Sequence, residues 1–197
     1  MSQQNGKIKL HIGCGPRVLK EWINIDLAYE PFENYLKYYK DEFYGKKIRG
    51  NRSDFYAINI TKQALPLANN SVSVVFHEDF IEHLDQKEQM LFLAEIHRVL
   101  KKEGVHRINT PSLAASMKIN SKFKNGFEGV YQHEWDHHVH KNILTKNMLK
   151  EMATIIGYSK VIIQKRNISI AKTIPNEYRP DPNDRAESGN IFVDLIK

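Results

Sequence analysis

A short alternating apolar run, Lys9-Leu10-His11-Ile12, ends in Gly13-Cys14-Gly15-Pro16, and a second, Trp22-Ile23-Asn24-Ile25, ends in the carboxylate of Asp26. Glycines lack a Cβ, so the chain can turn tightly there and its backbone can approach a ligand to contact distance. A carboxylate at the tip of the next strand can accept hydrogen bonds from both hydroxyls of a ribose. The pattern describes a strand-loop-strand site that presents a nucleoside. Ordinary tight bends also use Gly-x-Gly, so the elements around it must decide.

A second concentration of chemistry lies in Tyr131-Gln132-His133-Glu134-Trp135-Asp136-His137-His138-Val139-His140. Imidazole and carboxylate suit zinc and related divalent ions. The pair four apart, His133 and His137, encloses Glu134, but nothing independent makes the stretch helical. No metal ligand is therefore assigned, and the segment is read as part of an acceptor pocket or lid.

Composition bounds the frame that must hold these residues. The chain of 197 residues can bury a core and has the size of a single domain, 1–197. Its most apolar stretches, Ser71 to Phe76 and Tyr158 to Ile163, are far shorter than the roughly 20 residues of a membrane span, so no membrane helix is expected. Met1 to Lys9 is polar and lacks an apolar signal core, which argues against export. The single cysteine, Cys14, excludes an internal disulfide and suits a reducing cytoplasm. The formal charge of +6 favours an anionic partner only if the bases cluster.

The positioning elements follow in order. Phe32, Tyr35, Leu36, Tyr39 and Phe43 fall near helical spacing and predict one amphipathic helix, ended by Gly45 and Gly50. The same segment, 35–56, carries Lys37, Lys40, Lys46, Lys47, Arg49 and Arg52 among its aromatics, and the alternative use is a surface that stacks bases and meets phosphates. Phe55 to Ile60 predicts a third strand, with Asn59 near its end. Val72 to Phe76 is almost continuously apolar, which argues for a strand covered on both faces, and His77-Glu78-Asp79 puts polar groups where it stops.

Gln86 to Lys102 is the clearest helix, with Met90, Leu91, Leu93, Ala94, Ile96, His97 and Leu100 as its apolar face and Gly104 as its stop. Val105 to Asn109, ended by Pro111, predicts a fifth strand. Thr145 caps a helix through Ile156, with Gly157 at its end. Val161 to Gln164 and Ile191 to Ile196 complete the pattern. Alternating strands and helices imply one α/β layer fold. Ligands in such folds sit outside the carboxyl ends of the strands, so Gly13, Asp26 and His77 to Asp79 face one crevice.

In this order the chain resembles class I S-adenosylmethionine-dependent methyltransferases, in particular the type 11 methyltransferase-domain family. The matching stretches are Leu10 to Gly15, Trp22 to Leu27, Leu65-Pro66-Leu67 through Val72, Phe80-Ile81-Glu82-His83-Leu84 and Glu95 to Lys101, with Leu149 to Tyr158 and Ile191 to Lys197 similar to the later helix and final strand. The resemblance implies a Rossmann-like, seven-stranded, mostly parallel sheet with an antiparallel last strand and helices on both faces. The connection from Gly15 to Trp22 is shorter than the dozen or more residues a parallel crossover generally takes, so the first helix must be short or missing.

What the resemblance implies for the site is specific. S-adenosyl-L-methionine is the cofactor, and the loop of His11, Gly13, Cys14 and Gly15 lines its methionine and ribose part. Asp26 holds the ribose, Asn59 and Ile60 contact adenine, and His77 lies near the amino-acid portion. An Asp is usual where Asn59 stands, although an amide oxygen can still accept from the adenine amino group. The third glycine of the usual loop is replaced by Pro16-Arg17, and Arg17 raises a phosphate-bearing dinucleotide as a competitor.

Methyl transfer is an in-line displacement that needs alignment and exclusion of water, helped by a base where the acceptor is a hydroxyl. Glu82 and His83, at the family's recurrent Glu-His position, and His133 are the candidates. A helix-start carboxylate and a buried, hydrogen-bonded histidine is the plain alternative. The acceptor-side loops, about 112–142 and 168–190, carry His and carboxylates rather than a basic stripe, which favours a small-molecule or sugar acceptor. An RNA methyltransferase docking through segment 35–56, or a non-catalytic nucleotide- or metal-binding protein, is the alternative reading.

Overall fold

Seven strands form one sheet: β1 (Ile8–Ile12), β2 (Ile23–Asp26), β3 (Phe55–Ala57), β4 (Val72–Glu78), β5 (Leu100–Pro111), β6 (Lys160–Ile163) and β7 (Asn190–Ile196). The computed structural model describes residues 7–37, 44–120, 132–178 and 186–197, and only the backbone of residues 119, 120, 132 and 133. The strand order is β3-β2-β1-β4-β5-β7-β6, with β7 antiparallel to both of its neighbours. This is the sheet that the resemblance implies.

Pleat alternation gives the sheet two chemically different faces. Leu10, Ile12, Ile25, Val75, Ile108, Val193 and Leu195 form a continuous apolar layer beneath α2 (Gln86–Val99) and α4 (Lys146–Ile156), the intervening α3 being Leu113–Asn120. The first of these helices starts at a reciprocal cap: Asp85 accepts from Glu88 N at 2.8 Å, and Glu88 accepts from Asp85 N at 3.0 Å. It buries Gln89, Phe92, Leu93, Ile96 and Val99, one helical stripe. The face is thus rotated from the expected one, since Leu91 and Ala94 are exposed. The helix also ends earlier than expected. Leu100 is fully buried and pairs with Val72, so strand pairing captures it, and Lys101 and Lys102 belong to β5. The later helix matches its expected bounds, capped by Thr145 and ended by Gly157 at φ 110.

Between β1 and β2 there is no helix. Asn24, fully buried, replaces it: its side-chain oxygen accepts from Leu19 N at 2.8 Å, and its amide donates to the carbonyls of Leu19 and Trp22 at 2.9 and 3.0 Å. Three bonds from one side chain fold residues 16–22 into a compact loop, which is how so short a crossover is made. The helix expected from Phe32 is the short α1 (Phe32–Leu36), with Tyr35 buried and Leu36 exposed. Tyr38, Tyr39, Lys40 and Phe43 lie outside the described residues. β3 is shorter than expected because the Asn59 side chain accepts from the backbone and hydroxyl of Thr61 and turns the chain.

The second face buries His11, Asn24, Glu78, Arg107, Asn109 and Asp194 together with Phe76. Among the described residues it is covered by α1 and by irregular chain, above all residues 164–178. Arg107, fully buried, holds that strap down. Its guanidinium donates to both carboxylate oxygens of Glu177 at 2.8 and 2.7 Å, lies 3.4 Å from Asp194, and donates to the carbonyls of Ile168 and Lys165. Asp194 in turn accepts from Ser169 Oγ and Ile170 N. Removing one partner of such a cluster leaves uncompensated charge in the interior.

Arg107→Ala is therefore expected to destabilise the protein by about 3–5 kcal/mol in urea unfolding and to expose the strap to trypsin at Lys165, Arg166 and Lys172. A loss below about 1 kcal/mol with unchanged cleavage would contradict the clamp.

Candidate active site

At the carboxyl ends of β1, β2 and β4 a cleft opens in two lobes that share Gly13, Asp26, Phe80 and His83. The larger, about 610 Å³, is lined further by Cys14, Gly15, Glu78, Asp79 and Tyr178. The smaller, about 420 Å³, is lined by Leu27, Ile58, Asn59, Ile60 and Lys62.

Local geometry explains the glycine loop. Gly13 sits at φ +61, and a Cβ there would meet the Phe80 ring at 2.5 Å. Only glycine fits both demands. Gly13 N and Cys14 N reach the carbonyl of Ile25 at 2.9 and 3.4 Å, which lays the loop across the end of β2. Asp26 completes the tie: Oδ2 accepts from Gly15 N at 2.8 Å and Oδ1 from Leu27 N at 2.7 Å. Each carboxylate oxygen has capacity for a second donor, so the group is held at the junction of the lobes and can still bind a ligand. Cys14 is buried and its thiol is pushed up by burial and by Asp26, which makes it an unreactive packing residue.

The structure divides the expected cofactor residues. Gly13, Cys14, Gly15, Asp26, Asn59 and Ile60 meet around the cleft. His11 and His77 do not line it. His11 is buried on the second face, 3.2 Å from the side chain of Asn24 and stacked on Phe76. His77 lies on the helix-covered face among Phe80, Phe92 and His106, at 5.7, 5.3 and 5.1 Å between ring centres. Neither ring nitrogen of His77 has a hydrogen-bond partner among the described residues, and burial lowers its pKa to about 3. One step along β4 the alternation turns Glu78 toward the larger lobe instead. Asn59 lines the smaller lobe, but its oxygen is taken by Thr61, so the adenine contact expected of that oxygen is not on offer.

Arg17, read as a possible anion site, is fully buried and engaged. It bonds Glu78 at 2.6 Å and the carbonyl of Asn176, and its guanidinium lies 4.8 Å from the Tyr178 ring centre. Glu78 also accepts from Asn109 at 3.3 Å and from Tyr178 N at 3.0 Å. The pair thus anchors the far end of the strap and sets Tyr178 in the cleft wall. The Arg17 charge is thus already matched by Glu78.

Glu82 and His83 share the 3-10 turn Ile81–His83, the first buried and the second exposed. His83 faces both lobes, with its pKa lowered by burial and by His140; at neutral pH it is an uncharged imidazole able to take a proton. Glu82 is fully buried behind it and accepts from Thr110 Oγ1 at 2.9 Å. The His-rich segment folds against this turn, because Lys141 N and Asn142 N both donate to the Glu82 carbonyl. His140 lies 5.0 Å from His83 in an edge-on contact, and its Nδ1 is 3.0 Å from Glu134. His133 lies in the π-helical turn Gln132–His137, and its side chain is outside the described residues. Glu78 and Asp79 stand at the crevice where the sequence puts them, whereas Phe80 and Tyr178 are site residues that sequence reasoning missed.

The model of the methyltransferase-domain family matches residues 10–108. No curated protein matches the chain. Solved structures share its fold at low identity. An S-adenosylmethionine-dependent methyltransferase from Archaeoglobus fulgidus superimposes with a TM-score of 0.57 at 17% identity, over 97% of this chain and 86% of that one. One from Mesorhizobium loti gives 0.60 at 11%, over 98% and 91%. The 1,6-didemethyltoxoflavin-N1-methyltransferase of Burkholderia thailandensis, bound to 1,6-didemethyltoxoflavin and S-adenosylhomocysteine, gives 0.52 at 13%, over 98% and 72%. At these identities the likeness is one of fold.

Burial of imidazole around the site has a pH consequence. His11 and His77 are lowered to about 3, and His106 well below its usual value, in each case first by desolvation. In the unfolded chain each binds a proton near 6.5, so stability is fully present above that pH. It falls by about 1.4 kcal/mol per pH unit per histidine between 6.5 and the folded value. Acid titration followed by circular dichroism should show His77→Phe, which fits the aromatic nest, taking up about one proton fewer on unfolding than the parent. Equal proton uptake by the two proteins would contradict neutral burial of His77.

Proposed function

The chain belongs to the methyltransferase-domain family and is an S-adenosylmethionine-dependent methyltransferase, and on that premise we propose that it methylates a small-molecule or sugar acceptor held between His83 and Tyr178. The observation that carries this reading is the position of Asp26, tied to Gly15 at the junction of two lobes, with His83 lining both of them. In this reading Asp26 binds the ribose hydroxyls. Leu27, 68% exposed beside the smaller lobe, and Ile60 give apolar surface to the adenine, and Gly13 to Gly15 run along the methionine. When bound, the cofactor supplies a methyl group on an electron-poor sulfur.

The remaining work falls to side chains of this protein. His83 accepts the proton of an acceptor hydroxyl, and its neutral state favours that role. Phe80 and Tyr178 narrow the cleft and exclude water. Glu82 positions the turn from behind. A small acceptor is in keeping with the small molecule bound in the Burkholderia thailandensis protein of the same fold. The single buried thiol fits a cytoplasmic setting, and no helix among the described residues is long and apolar enough to cross a membrane.

Docking of RNA on segment 35–56 is the weaker reading. Arg49 lies over the Phe32 ring at 3.2 Å, and Arg52 lies 5.5 and 5.2 Å from Tyr29 and Phe55. Tyr35 and Tyr44 are buried. These cations and rings are spent on one another rather than arrayed for bases and phosphates.

Calorimetry should show binding of S-adenosylmethionine and S-adenosylhomocysteine but not NAD, with Asp26→Ala at least about tenfold weaker through loss of charge-assisted hydrogen bonds. Binding of NAD alone, or no effect of Asp26→Ala, would contradict the assignment. With a methyl-labelled cofactor and a panel of hydroxyl-bearing small molecules, His83→Ala is expected to lower kcat by about 10²–10⁴ while leaving cofactor affinity within a few-fold.

A further inference from the structure

Behind His83 the fold gathers more carboxylate and imidazole than a single base requires. Glu82 Oε2 is fixed by Thr110, and Oε1 faces Nε2 of His140 at 4.0 Å. That distance is too long for a hydrogen bond and lies within the span of two bonds of about 2.1 Å to one ion. One ring nitrogen of His83 completes a triangle in which all three ligand atoms lie within 4.8 Å of one another.

The outer contacts have the form that metal sites use. A ligating histidine characteristically gives its other ring nitrogen to a carboxylate, which fixes the ring and its tautomer. His140 does so through Nδ1 to Glu134 Oε2 at 3.0 Å, which turns Nε2 toward Glu82. His138 stacks on the His140 ring at 5.3 Å and holds its plane. The backbone bonds from Lys141 and Asn142 to the Glu82 carbonyl keep the two segments in register. Two of the three candidate ligands are thus rigid and buried, and the third, His83, is exposed on the cleft wall.

We propose that Glu82, His83 and His140 bind one divalent cation of the zinc or manganese type on the acceptor side of the cleft, with Glu134 as the outer carboxylate. Two imidazoles and one carboxylate make a neutral-nitrogen and oxygen set that suits these ions and leaves coordination positions for a further ligand. The consequence for catalysis rests on the methyltransferase reading above. An acceptor hydroxyl coordinated there loses its proton to solvent more readily. Its oxygen then forms the new bond to the methyl carbon as the carbon–sulfur bond breaks, the electron pair staying on sulfur as a neutral thioether. His83 would in that case serve as ligand and orienting group.

The test is calorimetric titration of the chelator-treated full chain with Zn²⁺ and with Mn²⁺, with S-adenosylhomocysteine binding measured on the same samples. One ion per chain is expected for at least one metal. Glu82→Gln and His140→Ala should each weaken it at least tenfold, and Glu134→Gln should weaken it about 10–100-fold, whereas the exposed His137→Ala should leave it unchanged. Should His140→Ala fail to fold in circular dichroism, Glu82→Gln and His83→Ala decide. No binding of either ion, or binding that weakens in His137→Ala but not in Glu82→Gln, overturns the site. S-adenosylhomocysteine binding without metal binding overturns the ion site alone; metal binding without it supports the site and overturns the methyltransferase reading of the cleft.

Discussion

The hydrogen bond from Gly15 N to Asp26 Oδ2 joins two strand ends that the chain would otherwise leave as separate turns. Because β1 and β2 are parallel neighbours, that bond fixes how far the glycine loop can rise above the sheet, and so where a ligand's backbone contacts and its sugar contacts meet. Asn24, two residues earlier on the same face of β2, compacts the crossover loop from below. Asp26 then grips its beginning from above. The alternation of one short strand thereby supplies both the scaffold bond and the binding carboxylate.

The rest of the molecule keeps this pair of strand ends in place from two sides by different means. One face is held by area: α2 and α4 lie on a continuous apolar layer, where stabilisation is roughly proportional to surface removed from water. The other is held by a few buried charges, Arg107 with Glu177 and Asp194, and Arg17 with Glu78. Buried pairs give little net stability over an apolar core, but they tolerate few alternative arrangements because any slip strands a charge. Such a clamp suits a strap whose task is to hold Tyr178 at one point of the cleft wall.

Much of this was legible in the sequence because its signals are local. The starts of β3 and β4, the Thr145 to Gly157 helix, the glycine bend and Asp26 each depend on periodicity, capping or glycine freedom within a few residues. What was not legible depends on pairing across the chain. The rotation of α2 by one position follows from which residues meet the sheet, and its early end from pairing of Leu100 with Val72. Arg17 reads as a ligand cation until Glu78, on a distant strand, is seen to take it. His77 and Glu78 are neighbours in sequence, yet opposite sides of a pleat send one to an aromatic nest and the other to the cleft. The His-rich segment showed its chemistry but not where it docks, since the Glu82 carbonyl that receives Lys141 N and Asn142 N lies more than fifty residues earlier.

The most direct measurement is a crystal structure of the full chain with S-adenosylhomocysteine. It should show both ribose hydroxyls on the Asp26 carboxylate, the adenine against Leu27 and Ile60, and the sulfur directed into the larger lobe toward His83. A ligand bound elsewhere, or one whose ribose makes no contact with Asp26, would contradict the account.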